Sequence, residues 1–298
     1  MSAAVPIFQI DAFTDRPFAG NPAGVVLDAA RLDESQMRRI AVEMNQAETA
    51  FVSPTRREGA DHGLRWFTPA QEVTYCGHAT VATAHALLEA GRLRASRVVF
   101  DTLGGLLPVS VEGPPGGAVI WLEPSVPRCR RFDRPLDEFL AALGLAPDGI
   151  GAWAAPSLTP EADLLLPARS LGALGALRPD MGRLAALGTA EQIRGVCVVS
   201  PETVESGSAV HSRFFAPHIG IPEDIVTGSV HSSIAVWLLQ AGRLRPEEGR
   251  VAFTAEQGDF RGRPGRLSVE IRADGGQAVA VRVGGRAVTV LSGSLRVP

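Results

Sequence analysis

The chain has 298 residues, of which 45% are hydrophobic and 20% are charged, and its net charge is −3 at pH 7. This size predicts two domains of about 150 residues each, and the absence of a basic stripe argues against a nucleic-acid partner. All 29 basic residues are arginine. Enzymes that need a lysine, for a Schiff base or for the phosphates of a P-loop, are therefore excluded.

The N-terminal stretch lacks the pattern of a signal peptide, and no run approaches the roughly 18 apolar residues of a membrane helix. We therefore expect a cytoplasmic protein without a membrane partner. Three cysteines, Cys76, Cys129 and Cys197, show no ligand-like spacing, which disfavours a disulfide framework and a structural zinc site. His211 and His218 also lack the i,i+4 spacing of a helical zinc pair, so no metal is expected.

The first half of the chain predicts strands followed by a buried helix. Runs rich in β-branched and aromatic residues, VPIFQIDAF, FVSP and LRWFTP, indicate strands. A turn at Gly77 and His78 then leads into VATAHALLEAG, which predicts a helix of roughly 14 to 18 residues closed by Gly91. This helix is apolar on most faces, so we expect it to be buried among the strands of its own half. VVFDT, a run ending in SVE, and AVIWLEP indicate further strands.

The second half repeats the first after a crossing segment at 124–135 and a stretch at 146–188 that carries no functional signal. Cys76–Leu93 and Thr227–Leu244 agree without a gap at 8 of 18 positions and both end in AGRL. RWFTP is matched by RFFAP and FVSP by VVSP, with offsets between 147 and 151. The second helix, closed by Gly242, is again almost wholly apolar, and VCVVSP, VAFTA, RLSVEI and AVAVRVGG indicate its strands. The repeat predicts a duplicated α+β domain.

We place the first domain at 1–124 and the second at 125–284, with the C-terminal strand at about 285–298 able to pack back on the first. If a pseudo-twofold axis relates the halves, the starts of the two helices, at Gly77 and Gly228, face one another across a cleft. Helix N-termini bind carboxylates and oxyanions through their N–H groups. For one glycine alone a tight turn is the simpler explanation, but the pairing across the repeat favours a binding site.

Catalytic candidates lie where the halves differ close to these turns. The differing pairs are Cys76 and Thr227, His78 and Ser229, and Glu48 and Gly195. The second half also carries three extra residues in the stretch HIGIPED, which we expect to supply Asp224. The sequence thus predicts that Glu48, His78 and Asp224 converge on one cleft.

Each of these residues has an ordinary alternative. Burial would raise the pKa of Glu48 towards neutrality, as a general acid or base requires, but a solvent-facing glutamate at a strand end explains the local sequence equally well. Asp224 is either a site residue or a cap of the second helix, and His78 is either a site residue or a satisfied helix-start histidine. A helix N-terminus would lower the pKa of the Cys76 thiol and make it reactive, although its counterpart Thr227 excludes a symmetrical pair of thiols.

Six segments resemble, in order, the PhzF-like phenazine biosynthesis family. They are GNPAGVVL, NQAETAFV, RWFTPAQEVTYCGHAT, GIPEDIVTGS, QGDFRGRPGRLSVE and VGGRAVTVLSGSL. The resemblance spans nearly the whole chain. It implies the fold of diaminopimelate epimerase: two pseudo-symmetric α+β domains, each a curved mixed sheet or partial barrel around a central helix, in a homodimer. The chain departs from the family's usual pattern at Ile225, Val226 and Val230, which leaves the substrate open.

The family's phenazine enzyme isomerises a dihydro-hydroxyanthranilate by moving a proton between ring carbons without a cofactor, and Glu48 matches its acid/base glutamate. The resemblance implies that His78 and Asp224 are polar or proton-relay partners. It places around the substrate Asn21, Gly77, His78, Asp224, Gly228 and Ser229. We therefore predict a cofactor-independent isomerase of a small carboxylate. A thiol-assisted epimerase that uses Cys76 and a non-catalytic carboxylate-binding protein are the alternatives.

Overall fold

The computed structural model describes residues 3–93, 96–114 and 116–297; positions 1, 2, 94, 95, 115 and 298 of the predicted domains lie outside them. In chain order the strands are β1 (Ala3–Ala12), β2 (Asn21–Val26), β3 (Thr49–Ser53), β4 (His62–Phe67), β5 (Glu72–Val73), β6 (Arg97–Thr102), β7 (Gly105–Glu112), β8 (Val119–Leu122), β9 (Arg130–Arg131), β10 (Ser157–Leu158), β11 (Asp163–Pro167), β12 (Gly195–Ser200), β13 (Ser208–Ala216), β14 (Ile221–Asp224), β15 (Arg250–Gln257), β16 (Gly265–Asp274), β17 (Gln277–Gly285) and β18 (Ala287–Val297). The helices are α1 (Glu34–Met44), α2 (Gly77–Glu89), α3 (Asp137–Leu143), α4 (Leu171–Gly175), α5 (Met181–Glu191) and α6 (Gly228–Gln240). Within the described ranges, none of the helices combines the length and the apolar character needed to cross a lipid bilayer.

The chain forms two compact units. The N-terminal unit comprises Met1–Glu123 together with Gly284–Pro298, and the C-terminal unit comprises Pro124–Val283. Each unit is a mixed sheet with a central helix, α2 in the first and α6 in the second. The predicted α+β fold is therefore confirmed.

Strand pairing repeats from one unit to the other in order and in direction. In the N-terminal unit β2–β3 is parallel, β3–β4 and β4–β5 are antiparallel, β4–β6 is parallel and β6–β7 is antiparallel. In the C-terminal unit β11–β12 is parallel, β12–β13 and β13–β14 are antiparallel, β13–β15 is parallel and β15–β16 is antiparallel. The duplication predicted from short matching segments thus extends to the whole sheet pattern.

One ion pair is repeated as well. Arg65 on β4 donates two hydrogen bonds, of 2.6 and 2.7 Å, to the Glu72 carboxylate on β5. Arg213 on β13 donates two, of 2.8 and 3.0 Å, to Glu223 on β14. The planar guanidinium suits this two-point contact, so in each unit it ties the short strand before the central helix to its neighbour.

The central helices are buried, as their composition predicts. Eleven of the 13 residues of α2 are buried, and ten of the 13 residues of α6. The helix α2 contacts β1, β2, β3, β8 and β18. The pairing order of this sheet begins with β18 and β1 and ends with β7 and β8. Because α2 contacts strands at both ends of this order, the sheet curves around the helix.

Both central helices end at a left-handed glycine, as predicted, but each has 13 residues rather than 14 to 18. Gly91 has φ 64° and Gly242 has φ 67°. After α2 the N–H of Arg92 bonds to the carbonyl of Leu87 at 2.8 Å, and Gly91 N–H bonds to Leu88 at 3.1 Å. In this pattern the last helical residue lies two positions before the glycine, which accounts for the shorter length.

The stretch at 146–188 has a packing role. It contains α4 and most of α5, whose residues Leu174 and Leu184 are buried in one hydrophobic cluster with Leu143 of α3 and Phe215 of β13. The irregular Ala/Leu/Pro/Gly composition hides this role because the helices are short and their apolar residues do not form a long periodic pattern.

Candidate active site

Glu48 lies immediately before β3 and is only 8% exposed. Its carbonyl accepts a hydrogen bond of 3.1 Å from the N–H of Gly24 in the neighbouring β2. The next residue, Thr49, is fully buried. Glu48 is therefore held by the sheet with its carboxylate inside the unit, and the alternative of a solvent-facing glutamate is wrong.

The start of α2 supplies two further side chains. Cys76 is the N-cap residue, and Gly77 and His78 are the first two helical residues. The carbonyl of Cys76 accepts hydrogen bonds from the N–H of Thr80 at 3.2 Å and from its hydroxyl at 2.6 Å. These contacts fix the first turn, and both Cys76 and His78 are buried within it.

Glu48, Cys76 and His78 meet in one cluster. His78 Nε2 lies 3.2 Å from Glu48 Oε2, and His78 Nδ1 lies 3.6 Å from Cys76 Sγ. Glu48 Oε2 is buried, and its contact with His78 is a buried ion pair. One ligand atom from each residue lies within 4.8 Å of the others, close enough to hold a metal ion.

The protonation states of this cluster follow from its contacts. Burial by itself raises the pKa of Glu48, but the charge and hydrogen bonding of His78, with a smaller contribution from Cys76, outweigh burial and lower that pKa. Burial also opposes the imidazolium of His78, yet Cys76 and Glu48 hold the pKa of His78 well above its usual value. At neutral pH Glu48 is therefore ionised, and its charge and hydrogen bonding favour the protonated form of His78. The expectation that burial brings the pKa of Glu48 towards neutrality is wrong.

The Cys76 thiol is not activated by its place at the helix start. Burial, and then the negative charge of Glu48, raise the pKa of Cys76 to about 11. The thiol is therefore protonated at neutral pH and acts as a neutral group beside Glu48. The prediction of a lowered thiol pKa is corrected because desolvation and a nearby carboxylate exceed the effect of the helix N-terminus.

A second polar group lies at the start of α6 in the C-terminal unit. Asp224 ends β14, and its carboxylate accepts a hydrogen bond of 2.7 Å from the hydroxyl of Thr227. Thr227 is the N-cap residue, followed by Gly228 and Ser229 in the first turn. The helix is therefore capped at the position of Thr227, and Asp224 lies three residues before it.

The extra residues of HIGIPED do not supply Asp224 itself. Phe214 pairs with Asp224 in the C-terminal unit, and the corresponding Trp66 pairs with Val73 in the N-terminal unit. The additional length forms a turn at Pro217–Ile219 ahead of β14. Asp224 thus replaces an apolar residue at an equivalent position, which the ungapped comparison of the two halves did not show.

The other predicted residues occupy the same neighbourhoods. Asn21 is the buried first residue of β2, three residues before Gly24, whose N–H binds the Glu48 carbonyl. Ser229 is half-buried, and its carbonyl accepts a hydrogen bond of 2.8 Å from the Ser232 hydroxyl. Direct contact is found within the N-terminal group and within the C-terminal group; convergence of both groups on one cleft remains a prediction.

Sequence reasoning missed the side chains that hold the start of α6. Gln257 at the end of β15 accepts the N–H of Thr227 at 3.1 Å. His231 Nδ1 lies 2.7 Å from the Thr227 carbonyl, and its Nε2 lies 3.3 Å from the Ser212 hydroxyl. Gln257 opens the QGDF segment, which had no assigned role, and its long separation from Thr227 in the chain concealed the contact.

A second titratable cluster lies in the C-terminal unit. His211 Nε2 is 3.0 Å from Asp259, and Arg266 donates two hydrogen bonds of 3.0 Å to the same carboxylate. Burial opposes ionisation of Asp259, but His211 and Arg266 lower its pKa to about 2. His211, Glu256 and Asp259 could also hold a metal ion, a grouping that the spacing of His211 and His218 could not reveal.

The chain is similar in sequence and in fold to known proteins. The model of the PhzC-PhzF family, described as phenazine biosynthesis-like protein, matches residues 10–293. An uncharacterized isomerase of Clostridium acetobutylicum is 33% identical, and the alignment covers 97% of each chain. The crystal structure of the Bacillus anthracis phenazine biosynthesis protein of the PhzF family superposes with a TM-score of 0.89 at 27% identity, covering 99% of this chain and 100% of that one. A hydroxyproline epimerase from Agrobacterium vitis, with a TM-score of 0.59 at 13% identity over 99% of this chain and 94% of that one, shows the shared fold alone.

Proposed function

The chain belongs to the phenazine biosynthesis-like (PhzC-PhzF) family, and on that premise we propose that it is an isomerase that moves a proton on a small carboxylate without a cofactor. The observation that carries this proposal is the buried Glu48 carboxylate, 3.2 Å from His78 Nε2 at the start of α2. A buried carboxylate that its neighbours keep ionised can accept a proton from a substrate carbon.

The protonation states suit a proton shift. Glu48 is ionised, as a general base must be, and the raised pKa of His78 favours the protonated form that a general acid or relay requires. In the proposed reaction Glu48 removes the proton and returns it at a second carbon. General acid–base catalysis of this kind typically contributes about 10² to 10⁴ in rate.

The helix start supports the same reaction. The first N–H groups of α2 have no acceptor inside the helix and carry the positive end of its dipole. Well-placed donors of this type are each worth about 3 to 4 kcal/mol to a developing oxyanion. Such donors would stabilise the carbanion, which has no cofactor to delocalise its charge in this proposal.

A thiol-assisted epimerase is the weaker alternative. It needs a thiolate, whereas the pKa of Cys76 is raised to about 11 by burial and by Glu48. The relatives named as isomerases also speak against a protein that only binds its ligand.

The test is proton NMR in D2O. Purified protein is incubated with trans-2,3-dihydro-3-hydroxyanthranilate and with a panel of small cyclic and amino carboxylates, and deuterium entry at each carbon is followed. We expect incorporation at one carbon with the wild type and a loss of at least about 100-fold with Glu48→Gln, because an amide cannot act as the base.

Glu43→Gln is the matched control, since Glu43 is an exposed glutamate on α1 of the same unit. It should exchange at the wild-type rate. Equal exchange by wild type and Glu48→Gln would overturn the assignment of the base. Exchange of no compound, together with saturable binding of one, would favour the binding-protein alternative.

A further inference from the structure

At the start of α6, two positions carry a carboxylate and a hydroxyl where the equivalent turn before α2 carries neither group. Asp224 stands where the N-terminal unit has Val73. Thr227 is the N-cap of α6 where Cys76 is the N-cap of α2. These two residues are joined by the hydrogen bond from the Thr227 hydroxyl to Asp224.

A third position differs in the same way. The parallel pairing of β13 with β15 corresponds to that of β4 with β6, and this correspondence places Gln257 where the N-terminal unit has Thr102. Thr102 turns back on its own hairpin, since its hydroxyl donates to the carbonyl of Gly105 at 2.8 Å. Gln257 instead reaches the turn before α6. The three polar residues therefore form one connected group that has no counterpart among the described residues of the other unit.

Gln257 makes three hydrogen bonds to this turn. Its Oε1 accepts the N–H of Thr227 at 3.1 Å. Its Nε2 donates to the Asp224 carbonyl at 3.0 Å and to the Thr227 hydroxyl oxygen at 3.1 Å. Gln257 is only 1% exposed, so no bulk water competes for these groups.

These contacts decide where the hydroxyl proton of Thr227 points. A hydroxyl has a single proton and accepts through its lone pairs. Because Gln257 Nε2 donates to Thr227 Oγ1, that proton is directed away from Gln257 and towards the Asp224 carboxylate, 2.7 Å away. The amide thus orients both the side chain and the backbone of the turn that carries Asp224.

The segment after Gln257 leaves this turn little room to move. A Cβ at Gly258 would lie 2.9 Å from the carbonyl oxygen of Ile225. A Cβ at Gly265 would lie 2.3 Å from the Val226 side chain. Only glycine permits such close approach, so the segment holds the turn by contact as well as by hydrogen bonds.

We propose that Gln257 is a positioning residue of the isomerisation, acting through Thr227 to hold and orient the Asp224 carboxylate. The inference rests on the proposed function, in which Asp224 is a polar or relay partner of the substrate. Gln257 itself does not touch the reacting atoms. A displacement of a catalytic carboxylate by about 1 Å can cost about 100-fold in rate, so loss of Gln257 should lower kcat rather than weaken binding.

The test compares Gln257→Met, which keeps length but cannot hydrogen bond through an amide, with Gln257→Glu. An ionised glutamate can accept the Thr227 N–H but cannot donate, whereas a protonated one regains a single donor. We expect Gln257→Met to lower kcat of deuterium exchange by about 100-fold with KM changed less than about threefold. The ratio of the Gln257→Glu rate to the wild-type rate should rise as pH falls, while that of Gln257→Met stays flat.

Two further variants separate this role from simple packing. Thr227→Val removes the hydroxyl and keeps the backbone N–H. The double variant with Gln257→Met should be no slower than the worse single variant, because both substitutions disturb the same hydrogen bonds that orient the Asp224 carboxylate. Gln240→Glu, at the exposed end of α6, should match the wild type. Full activity of Gln257→Met, or additive losses in the double variant, would overturn the proposal.

Failure of the proposed function gives a different result. If the wild type exchanges no proton in any compound, the isomerase assignment fails, and the amide hydrogen exchange of Thr227 then tests Gln257 independently. Faster exchange of that amide in Gln257→Met, with the distal turns of α6 unchanged, would support the positioning role in the fold. Unchanged exchange would overturn it.

Discussion

At the residue scale, the pKa of Glu48 is governed by its two polar neighbours rather than by burial alone. His78 contributes charge and a hydrogen bond, and the Cys76 thiol contributes a further hydrogen bond that also lowers this pKa. Cys76 remains neutral because its own pKa is raised to about 11. The thiol therefore tunes the base as a hydrogen-bond donor, which differs from the role of a thiolate nucleophile or base.

Replacing Cys76 should move the pH profile of exchange. In Cys76→Ala the lost donor raises the pKa of Glu48, so the acidic limb of kcat/KM shifts to higher pH; Cys76→Ser keeps a donor and should stay close to the wild type. The measurement is the deuterium-exchange rate from pH 4 to pH 8. Cys129→Ala, at a half-buried thiol of the C-terminal unit, serves as the control. Abolished exchange in Cys76→Ser would instead indicate thiol chemistry.

At the element scale, several polar side chains of the buried helices are paired within their own turns. The hydroxyls of Thr80 and Thr83 on α2 donate to the carbonyls four residues earlier, at 2.6 and 2.7 Å. On α6, His231 lies 2.7 Å from the Thr227 carbonyl through Nδ1. A carbonyl can only accept, so Nδ1 carries a proton, and the ring is neutral at pH 7 because burial lowers the pKa of His231 to about 4. Such internal pairing allows polar residues to sit in helices that are buried on most faces.

His231 should make the protein less stable in mild acid. Burial lowers the pKa of His231 to about 4, below the unfolded value of about 6.5. Between these two pKa values the unfolded chain binds a proton at His231 and the folded chain does not. The contribution of neutral His231 to stability is therefore fully present above pH 6.5 and is lost as pH falls towards 4. That loss is on the order of 3 kcal/mol in the free energy of unfolding.

Urea unfolding of wild type and His231→Asn at pH 7 and pH 4.5 checks this prediction. The variant should be less stable at pH 7 and should lose less stability on acidification. Gln240→Asn, at the exposed end of the same helix, is the control and should lose as much stability between pH 7 and pH 4.5 as the wild type. If His231→Asn loses as much unfolding free energy between pH 7 and pH 4.5 as the wild type, groups other than His231 govern the loss of stability in acid.

At the scale of the whole molecule, the N-terminal unit is completed by the end of the chain. All ten residues of β1 pair with β18, and α2 contacts β18 as well. Thr289 on β18 donates a 2.5 Å hydrogen bond to Glu89 at the end of α2, and the carbonyl of Arg286 accepts the N–H of Thr14. The unit that contains Glu48 and His78 therefore depends on residues more than 200 positions away.

Truncation after Gly285 should open this unit. It removes β18, leaves the N–H and carbonyl groups of one side of β1 without their partners, and uncovers α2. We expect hydrogen exchange to speed up in β1 and α2, and deuterium incorporation into substrate to fall with it, because the Glu48 cluster rests on α2. Leu291→Ser, at a half-exposed position of β18, is the control. Wild-type protection of β1 in the truncated chain would contradict the prediction.

Much of this architecture could be predicted because it follows from local patterns. The apolar residues that bury α2 and α6, the glycines that close them, and the strand runs around them act over a few positions, where helix and strand periods are legible. The matching halves then indicated the duplication, and the ETAFV segment singled out Glu48. The predicted helices are too long because each helix ends two residues before the glycine that closes it.

The site chemistry depends on contacts that no local pattern records. The direction of the Glu48 pKa shift follows from His78 and Cys76, some 30 positions later, and the neutral state of Cys76 follows from the same encounter. Only the strand register shows that Asp224 and Val73 occupy equivalent positions. The hydrogen bond between Gln257 and Thr227 joins residues 30 positions apart in the chain. Electrostatic interactions and hydrogen bonds act through space, so the ionisation and orientation of these side chains are set only when folding brings distant residues together. Burial and helix ends, by contrast, follow from the pattern of neighbouring residues in the sequence.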